Sequence, residues 1–307
     1  MRYIGMILFL SLVILGCEEE YTPETSGIEE FVVEGFIEAG ENTNPAYVII
    51  TRSIPFLQEI NLDIFENLFV TNAFVEVSDG NNTVSLQRIC LEDLPPEIQM
   101  SFTDQLGLLS DSLMVNYCVY VDINDELSRV EEGVYDLNIS IEEHQITGQT
   151  TIPKIIKLDS TWFQDTPGMS IDTLAELWGT IRDEPKVANF YRFLSGSPQE
   201  GFDAPFTSVI DDIFFEGKEF DFPLAKAQDR DDDFDPETFG FFNVGDTITV
   251  KWLSIDQSHY DFWLTYEYIL NAQGPFTSYI RVKHNVDGAL GVWGGYGVDF
   301  HTLVVEK

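Results

Sequence analysis

The chain of 307 residues carries 16 Lys and Arg against 53 Asp and Glu, a formal charge of −37. That field argues against nucleic-acid binding, whose affinity rests on Lys and Arg neutralising phosphates, and against electrostatic adsorption to anionic lipid. Hydrophobic residues make up 44%, with 24 Phe and 12 Tyr, so the acidic groups decorate a packed body rather than a disordered tail, and the plain reading of the charge is solubility.

The first segment pairs Arg2 with an apolar run from Ile4 to Leu15. It is shorter than the roughly 20 residues a helix needs to span a bilayer, and reads as an export signal. It ends in Leu15-Gly16-Cys17 and turns into Glu18-Glu19-Glu20. This resembles a bacterial lipoprotein signal, in which a small residue precedes a Cys whose thiol is lipidated. The resemblance implies that residues 1–16 are removed, that Cys17 becomes a diacylated N-terminus, and that the acyl chains are the tether to the membrane. Residues 17–27, acidic and containing Pro23, read as a flexible stalk.

From Phe31 the pattern becomes that of β-strands. Phe31–Ile37 and Tyr47–Thr51 are short β-branched and aromatic runs bounded by Gly, Asn and Pro. Ala73–Ser78 and Thr83–Gln87 flank Asp79-Gly80-Asn81-Asn82, residues that tolerate the left-handed conformations of a hairpin turn. Tyr117–Val121 is a fifth strand, Tyr135–Glu142 alternates apolar and polar with period two, and Gln145–Ile152 closes the set before Pro153. This count and spacing predict an immunoglobulin-like sandwich over residues 28–153, with residues 91–116, rich in Leu, Pro and acidic groups, as an insertion or lid. With Cys17 lipidated, Cys90 and Cys118 form an even pair in an exported chain and predict a disulfide at the ends of that insertion. Zinc is a poor rival, because no His or further Cys lies at ligand spacing.

Residues 154–307 read as a second β-rich domain, making the fold class all-β: Lys154–Trp162, Leu174–Arg182, Asn189–Leu194 and Asp246–Trp252 all have strand character. One helix is expected over Tyr260–Asn271, capped by Ser258, with Phe262, Tyr266 and Ile269 on its buried face and Asn271 and Gly274-Pro275 at its end.

Asp229, Asp231, Asp233 and Asp235 place alternate carboxylates where oxygen ligands for Ca²⁺ could stand. The loop lacks the Gly at its sixth position and has Gly240 rather than Glu at its twelfth, so a solvated acidic loop is the plainer reading and no metal or cofactor is expected. His144, His259, His284 and His301 are too dispersed for a helix-borne metal pair, and no Ser sits in Gly-x-Ser-x-Gly. No catalytic set emerges, and the chain is not expected to be an enzyme. Asp111-Ser112-Leu113, Asp172-Thr173-Leu174 and Asp246-Thr247-Ile248 resemble the short O-glycosylation acceptor of Bacteroidota.

Asn285-Val286-Asp287-Gly288-Ala289-Leu290-Gly291-Val292-Trp293-Gly294-Gly295-Tyr296-Gly297 combines closely spaced glycines with two aromatic rings. The glycines allow a turn that locks the last strands to the core, while Trp293 and Tyr296 are candidate ligand contacts, having flat apolar faces and polar edges. Together with Gly148-Gln149-Thr150-Thr151-Ile152-Pro153 and the Phe-rich acidic middle, this segment resembles the Bacteroidota lipoprotein family known as domain of unknown function 4249. The resemblance covers nearly all of the chain after the signal. It implies an exported, mostly β lipoprotein, often encoded near TonB-dependent outer-membrane transporters, and it carries over no catalytic residue. Acidic residues directly after Cys17 resemble the signal for surface display. The expected function is therefore an outer-membrane lipoprotein facing the cell surface, a binding or accessory component beside a TonB-dependent transporter, for a ligand the sequence does not name. A structural or adhesive envelope protein and a secreted hydrolase such as a glycosidase are the alternatives.

Overall fold

The computed structural model describes residues 30–54, 64, 67–95, 99, 116–168, 171–197, 201–227, 235–272 and 280–307. Cys17, the signal and stalk, most of the insertion including Ser112, Asp229, Asp231, Asp233, and Gly274-Pro275 lie outside the described residues.

The first half contains β1 (Phe31–Ala39), β2 (Tyr47–Arg52), β3 (Phe74–Ser78), β4 (Thr83–Ser85), β5 (Gln87–Cys90), a 3-10 turn at Leu91–Asp93, β6 (Cys118–Val121), β7 (Val134–Ile141) and β8 (His144–Thr151). The second contains β9 (Leu158–Gln164), β10 (Leu174–Arg182), β11 (Phe190–Ser197), β12 (Gly201–Asp203), β13 (Val209–Asp211), β14 (Glu219–Pro223), β15 (Phe242–Asn243), β16 (Thr247–Ile255), helix α1 (Gln257–Asn271), β17 (Val286–Asp287) and β18 (Leu290–Val304). The fold is all-β, as the alternation and β-branched runs predict. No helix among the described residues is long and apolar enough to cross a membrane.

The largest sheet runs β12-β11-β16-β18-β1-β2-β6-β5, with β13 alongside β11. It crosses residue 153, where the sequence divides the chain: β1 lies parallel to β18, from Val32 opposite Leu290 to Ala39 opposite Gly297, and antiparallel to β2 on its other side. A five-stranded sheet, β17-β8-β7-β3-β4, packs over the β1–β2 part. The buried face of β7, Tyr135, Leu137, Ile139 and Ile141, meets Val33, Ile37, Val48 and Ile50 in one apolar core, the burial that drives two sheets together.

Trp293 is fully buried in the same core, and its Nε1 donates to the Tyr135 carbonyl at 3.0 Å. Asn285 clamps the main chain of Trp293, Oδ1 accepting from its N–H at 2.9 Å and Nδ2 donating to its carbonyl at 2.7 Å. The segment read as a Gly-rich turn is thus the start of a 15-residue strand at the centre of the main sheet. Its glycines serve close approach. Gly291 has φ +110°, and a Cβ there would stand 1.9 Å from the Val33 carbonyl oxygen.

The second core gathers Leu158, Leu177, Ile181, Tyr191, Phe222 and Trp252 between the main sheet and the smaller sheet of β9, β10, β14 and β15. Helix α1 covers another part of the main sheet through Phe262, which joins Phe36, Leu253, Ile255 and Tyr296 in a third cluster. Asp256, not Ser258, is its N-cap: Oδ1 accepts from the His259 N–H at 2.8 Å, and Ser258 Oγ donates to the same atom at 2.7 Å. Of the expected face only Phe262 is buried; Tyr266 and Ile269 are exposed. Anchors at Asp256 and Glu267 set the rotation of the helix instead.

Candidate functional site

Strand and helix patterning bring an unusual set of charged groups under α1. Arg192 sits in an otherwise apolar stretch of β11 and is buried. Its Nε donates to Ser208 Oγ at 3.0 Å and its Nη1 to the Tyr296 hydroxyl at 3.1 Å, while the guanidinium lies 3.4 Å from the centre of the Trp263 ring. Ser208 relays the charge to buried Glu267: its N–H donates to Oε2 at 2.9 Å and its hydroxyl to Oε1. Beside this, Lys251 pairs with Glu38, both buried. Buried charges need such partners, since removing one leaves the other uncompensated.

His259 closes the set. Its ring is fully buried, 4.6 Å from the Tyr296 ring and 5.8 Å from Phe36, centre to centre. Neither ring nitrogen has a well-aligned hydrogen-bond partner among the described residues. Burial pushes its pKa down to about 3, against the pull of Asp256 and a contact with the Gly295 backbone and with the Arg192 charge adding to the depression. Burial opposes the charge of Asp256 as well, but His259 and hydrogen bonds from the His259 and Thr151 N–H groups and the Ser258 hydroxyl hold its carboxyl below the usual range. Asp256 Oδ2 also takes the Thr150 hydroxyl at 2.8 Å, tying the helix start to β8. Burial raises the Tyr296 hydroxyl to about 12, opposed by Arg192 and Trp263. His259, Arg192, Glu267 and Tyr296 are sealed from solvent, with Asp256 half-buried at their edge. They fix the helix on the sheet rather than meet a substrate.

Open space lies next to them. A cavity of about 350 Å³ at the start of α1 is lined by Ser258, Asp261, Arg281, Lys283 and His284, with Lys283 Nζ 2.9 Å from Asp261 Oδ2. A second, of about 430 Å³, is lined by Ser195, Ser197, Asp203, Lys226, Asp246 and Thr247. Elsewhere Asp183, Asp212 and Glu216 converge, their nearest oxygens all within 4.8 Å of one another. The first two are buried. Asp183 accepts from the Tyr191 hydroxyl at 3.1 Å and the Gly217 N–H at 2.7 Å, and Asp212 from the Asn189 N–H at 2.6 Å. Burial raises the pKa of Asp212, and Asp183 and Glu216 add to the rise.

The sequence-derived candidates fall as follows. Cys90 and Cys118 are paired across β5 and β6 as a disulfide. Trp293 and Tyr296 correct the ligand-contact expectation, because both rings are enclosed in the core and offer no face to solvent. Asp235 is exposed and caps a local turn, its Oδ1 accepting from the Glu237 N–H at 3.0 Å. The histidines stay apart: His301 pairs with Asp299 at 2.7 Å, His284 Nδ1 lies 3.1 Å from the Val286 carbonyl, and His144 meets the Phe31 ring edge-on. Arg192, Lys251, Glu38 and Glu267 were not singled out from the sequence. The signal that marks the first three is a charge inside an otherwise apolar strand.

This is a sheet-built fold with buried charged groups under its helix and open pockets at its surface. The chain belongs to the family described as domain of unknown function 4249, whose model matches residues 18–301. A comparison with curated proteins finds no match.

Proposed function

We propose that the protein is an outer-membrane lipoprotein, anchored through Cys17 and facing the cell surface, that acts as a binding or accessory component beside a TonB-dependent transporter. The observation that carries the reading is the split between its polar groups. The titratable His259 and Arg192 are sealed in the core, with half-buried Asp256 at their edge, whereas the two cavities open at the surface carry charged and hydroxyl side chains, an arrangement suited to holding a ligand rather than turning it over. The lipoprotein-like segment at Leu15-Gly16-Cys17 and membership of the family support the address. The test is co-purification of the native lipoprotein from detergent-solubilised membranes, with uptake assays after deletion of its gene. Recovery of a TonB-dependent transporter together with loss of one uptake activity is the expected result. No transporter and unchanged uptake would refute the accessory role, and survival of the protein on intact cells treated with protease would refute surface display.

A second reading, an adhesive envelope protein, is favoured by Ile213 and Phe214, which are 72% and 85% exposed at the tip after β13. Charge substitution at both would then abolish attachment and leave uptake intact.

A further inference from the structure

We propose that the outer face of the β9–β10–β14 sheet is a platform for a neutral polysaccharide. The register places three rows on this face. Trp162 lies opposite Trp178, and Trp178 opposite Pro223, so two indoles and a proline ring form one stripe across three strands. The indole centres are 6.3 Å apart with the planes 30° from parallel, a separation of the order of one sugar residue along a chain. Gln164 and Glu176 flank the stripe on one side, and Ser160, Thr180 and Asp221 on the other. The alternate residues of β10, Ala175, Leu177, Gly179 and Ile181, point into the second core, which leaves the Trp face turned outward with both indoles half-buried.

Hydrogen bonds within the face hold its polar groups in place. Glu176 Oε2 accepts from Trp178 Nε1 at 2.7 Å and from Gln164 Nε2 at 2.9 Å; Thr180 Oγ1 accepts from Ser160 at 3.1 Å and donates to Asp221 Oδ1 at 2.8 Å. Glu176 Oε1 and Asp221 Oδ2 have no partner among the described residues. Each stands beside the stripe as a carboxylate acceptor, a strong kind for a hydroxyl donor.

This pattern has a chemistry. An aromatic face is electron-rich and attracts the weakly positive C–H groups on the flat side of a sugar ring, while the carboxylates and the amide at the rim take its hydroxyls. The same rim, on a chain of charge −37, repels acidic polymers, so the occupant is uncharged. The ordered acceptors also set the stripe apart from a plain apolar contact with a second copy of the chain, which would want them absent.

The inference goes beyond the accessory role and stands without a transporter, because it is read on the purified chain alone. The mature protein is run through native gels containing xyloglucan, α-mannan, laminarin or starch, with polygalacturonate as the acidic control. Retardation by at least one neutral polymer and by no acidic one is expected. Trp178→Ala should weaken it about tenfold, and Glu176→Gln, which keeps the indole packing, severalfold. Circular dichroism melts confirm that each variant is folded; if Trp178→Ala is not, Glu176→Gln decides. Free mobility in all four neutral gels, or equal retardation of the folded variants, would overturn the proposal. So would sedimentation showing that the wild type self-associates through this face and that Trp162→Ala makes it monomeric.

Discussion

Gly294→Ala tests the close approach of the helix to β18. A Cβ at Gly294 would stand 2.2 Å from His259 Cε1 and 2.5 Å from each ring nitrogen, where non-bonded heavy atoms settle at about 3.5–4.0 Å. The ring cannot swing away. It is boxed by Phe36 and Tyr296, and its backbone is held by Asp256 at the helix cap. β18 cannot retreat either, because it is hydrogen-bonded to β16 on one side and β1 on the other. Overpacking of this kind costs about 1–3 kcal/mol, and with both layers pinned the upper end applies, a fall in Tm of roughly 6–12 °C at about 2–4 °C per kcal/mol. His259→Ala removes the obstructing ring and by itself costs about 2–4 kcal/mol of packing. In the double variant the new methyl occupies the vacated space, so the two costs should fall short of their sum by about 1–3 kcal/mol in a double-mutant cycle from guanidinium melts. Wild-type stability of Gly294→Ala, or additivity within about 0.5 kcal/mol, would refute the steric argument.

His259 also predicts acid sensitivity. Its pKa falls from an ordinary 6.5 to about 3 on folding, so the unfolded chain binds the proton more readily. The stability this group contributes is fully present above pH 6.5 and is lost as pH falls towards 3, at up to about 1.4 kcal/mol per pH unit. His259→Leu should flatten that slope by one proton in melts between pH 6.5 and 3.5, and an unchanged slope refutes it. For Asp212 the sign is opposite. Its raised pKa penalises the ionised form, so Asp212→Asn, which can still accept from the Asn189 N–H, should melt a few degrees higher at pH 7 and equally at pH 3; lower stability at both would show that the carboxylate is needed. Reducing the Cys90–Cys118 bond, which spans 28 positions, should cost about 3–4 kcal/mol by loop entropy, read as a lower midpoint in dithiothreitol that Cys90→Ala/Cys118→Ala reproduces.

Much of the sheet structure was legible because each strand half-buried on one face shows it: Val134–Ile141 alternates residue by residue, and Leu174–Arg182 has the bounds its composition suggests. β18 was not, because glycine in a sequence reads as a turn, and only the β1 main chain beside Gly291 and the His259 ring over Gly294 reveal why side chains are excluded there. The helix cap was missed by two residues because Asp256 and Ser258 are both capping types, and Asp256 wins by also reaching Thr150. Charges inside apolar strands could mark Arg192 and Lys251 as buried, but not their partners, since Lys251 and Glu38 are 213 residues apart in sequence. The Trp162–Trp178 stripe depends on register, which is set by packing on the hidden face of the sheet.

The parallel pairing of β1 with β18 decides whether the first half can stand alone. Residues 28–153 contain the strands of a complete-looking sandwich, yet its core includes Trp293 and Val286 from the far end of the chain. A fragment ending at Pro153 loses the Trp293 indole, an absence worth about 3–5 kcal/mol in a buried site. It also leaves one side of β1 unpaired from Val32 to Ala39, with only β2 on the other, an open edge of the kind that pairs with other chains. Against a usual stability of about 5–15 kcal/mol, the two losses together consume most of what a small sandwich has. The fragment should therefore lack a cooperative melt and aggregate. Adding a peptide of residues 284–304 in trans should restore cooperative unfolding and near-ultraviolet dichroism. A fragment that melts sharply by itself, with no response to the peptide, would show that the first half is autonomous and that β18 only caps it.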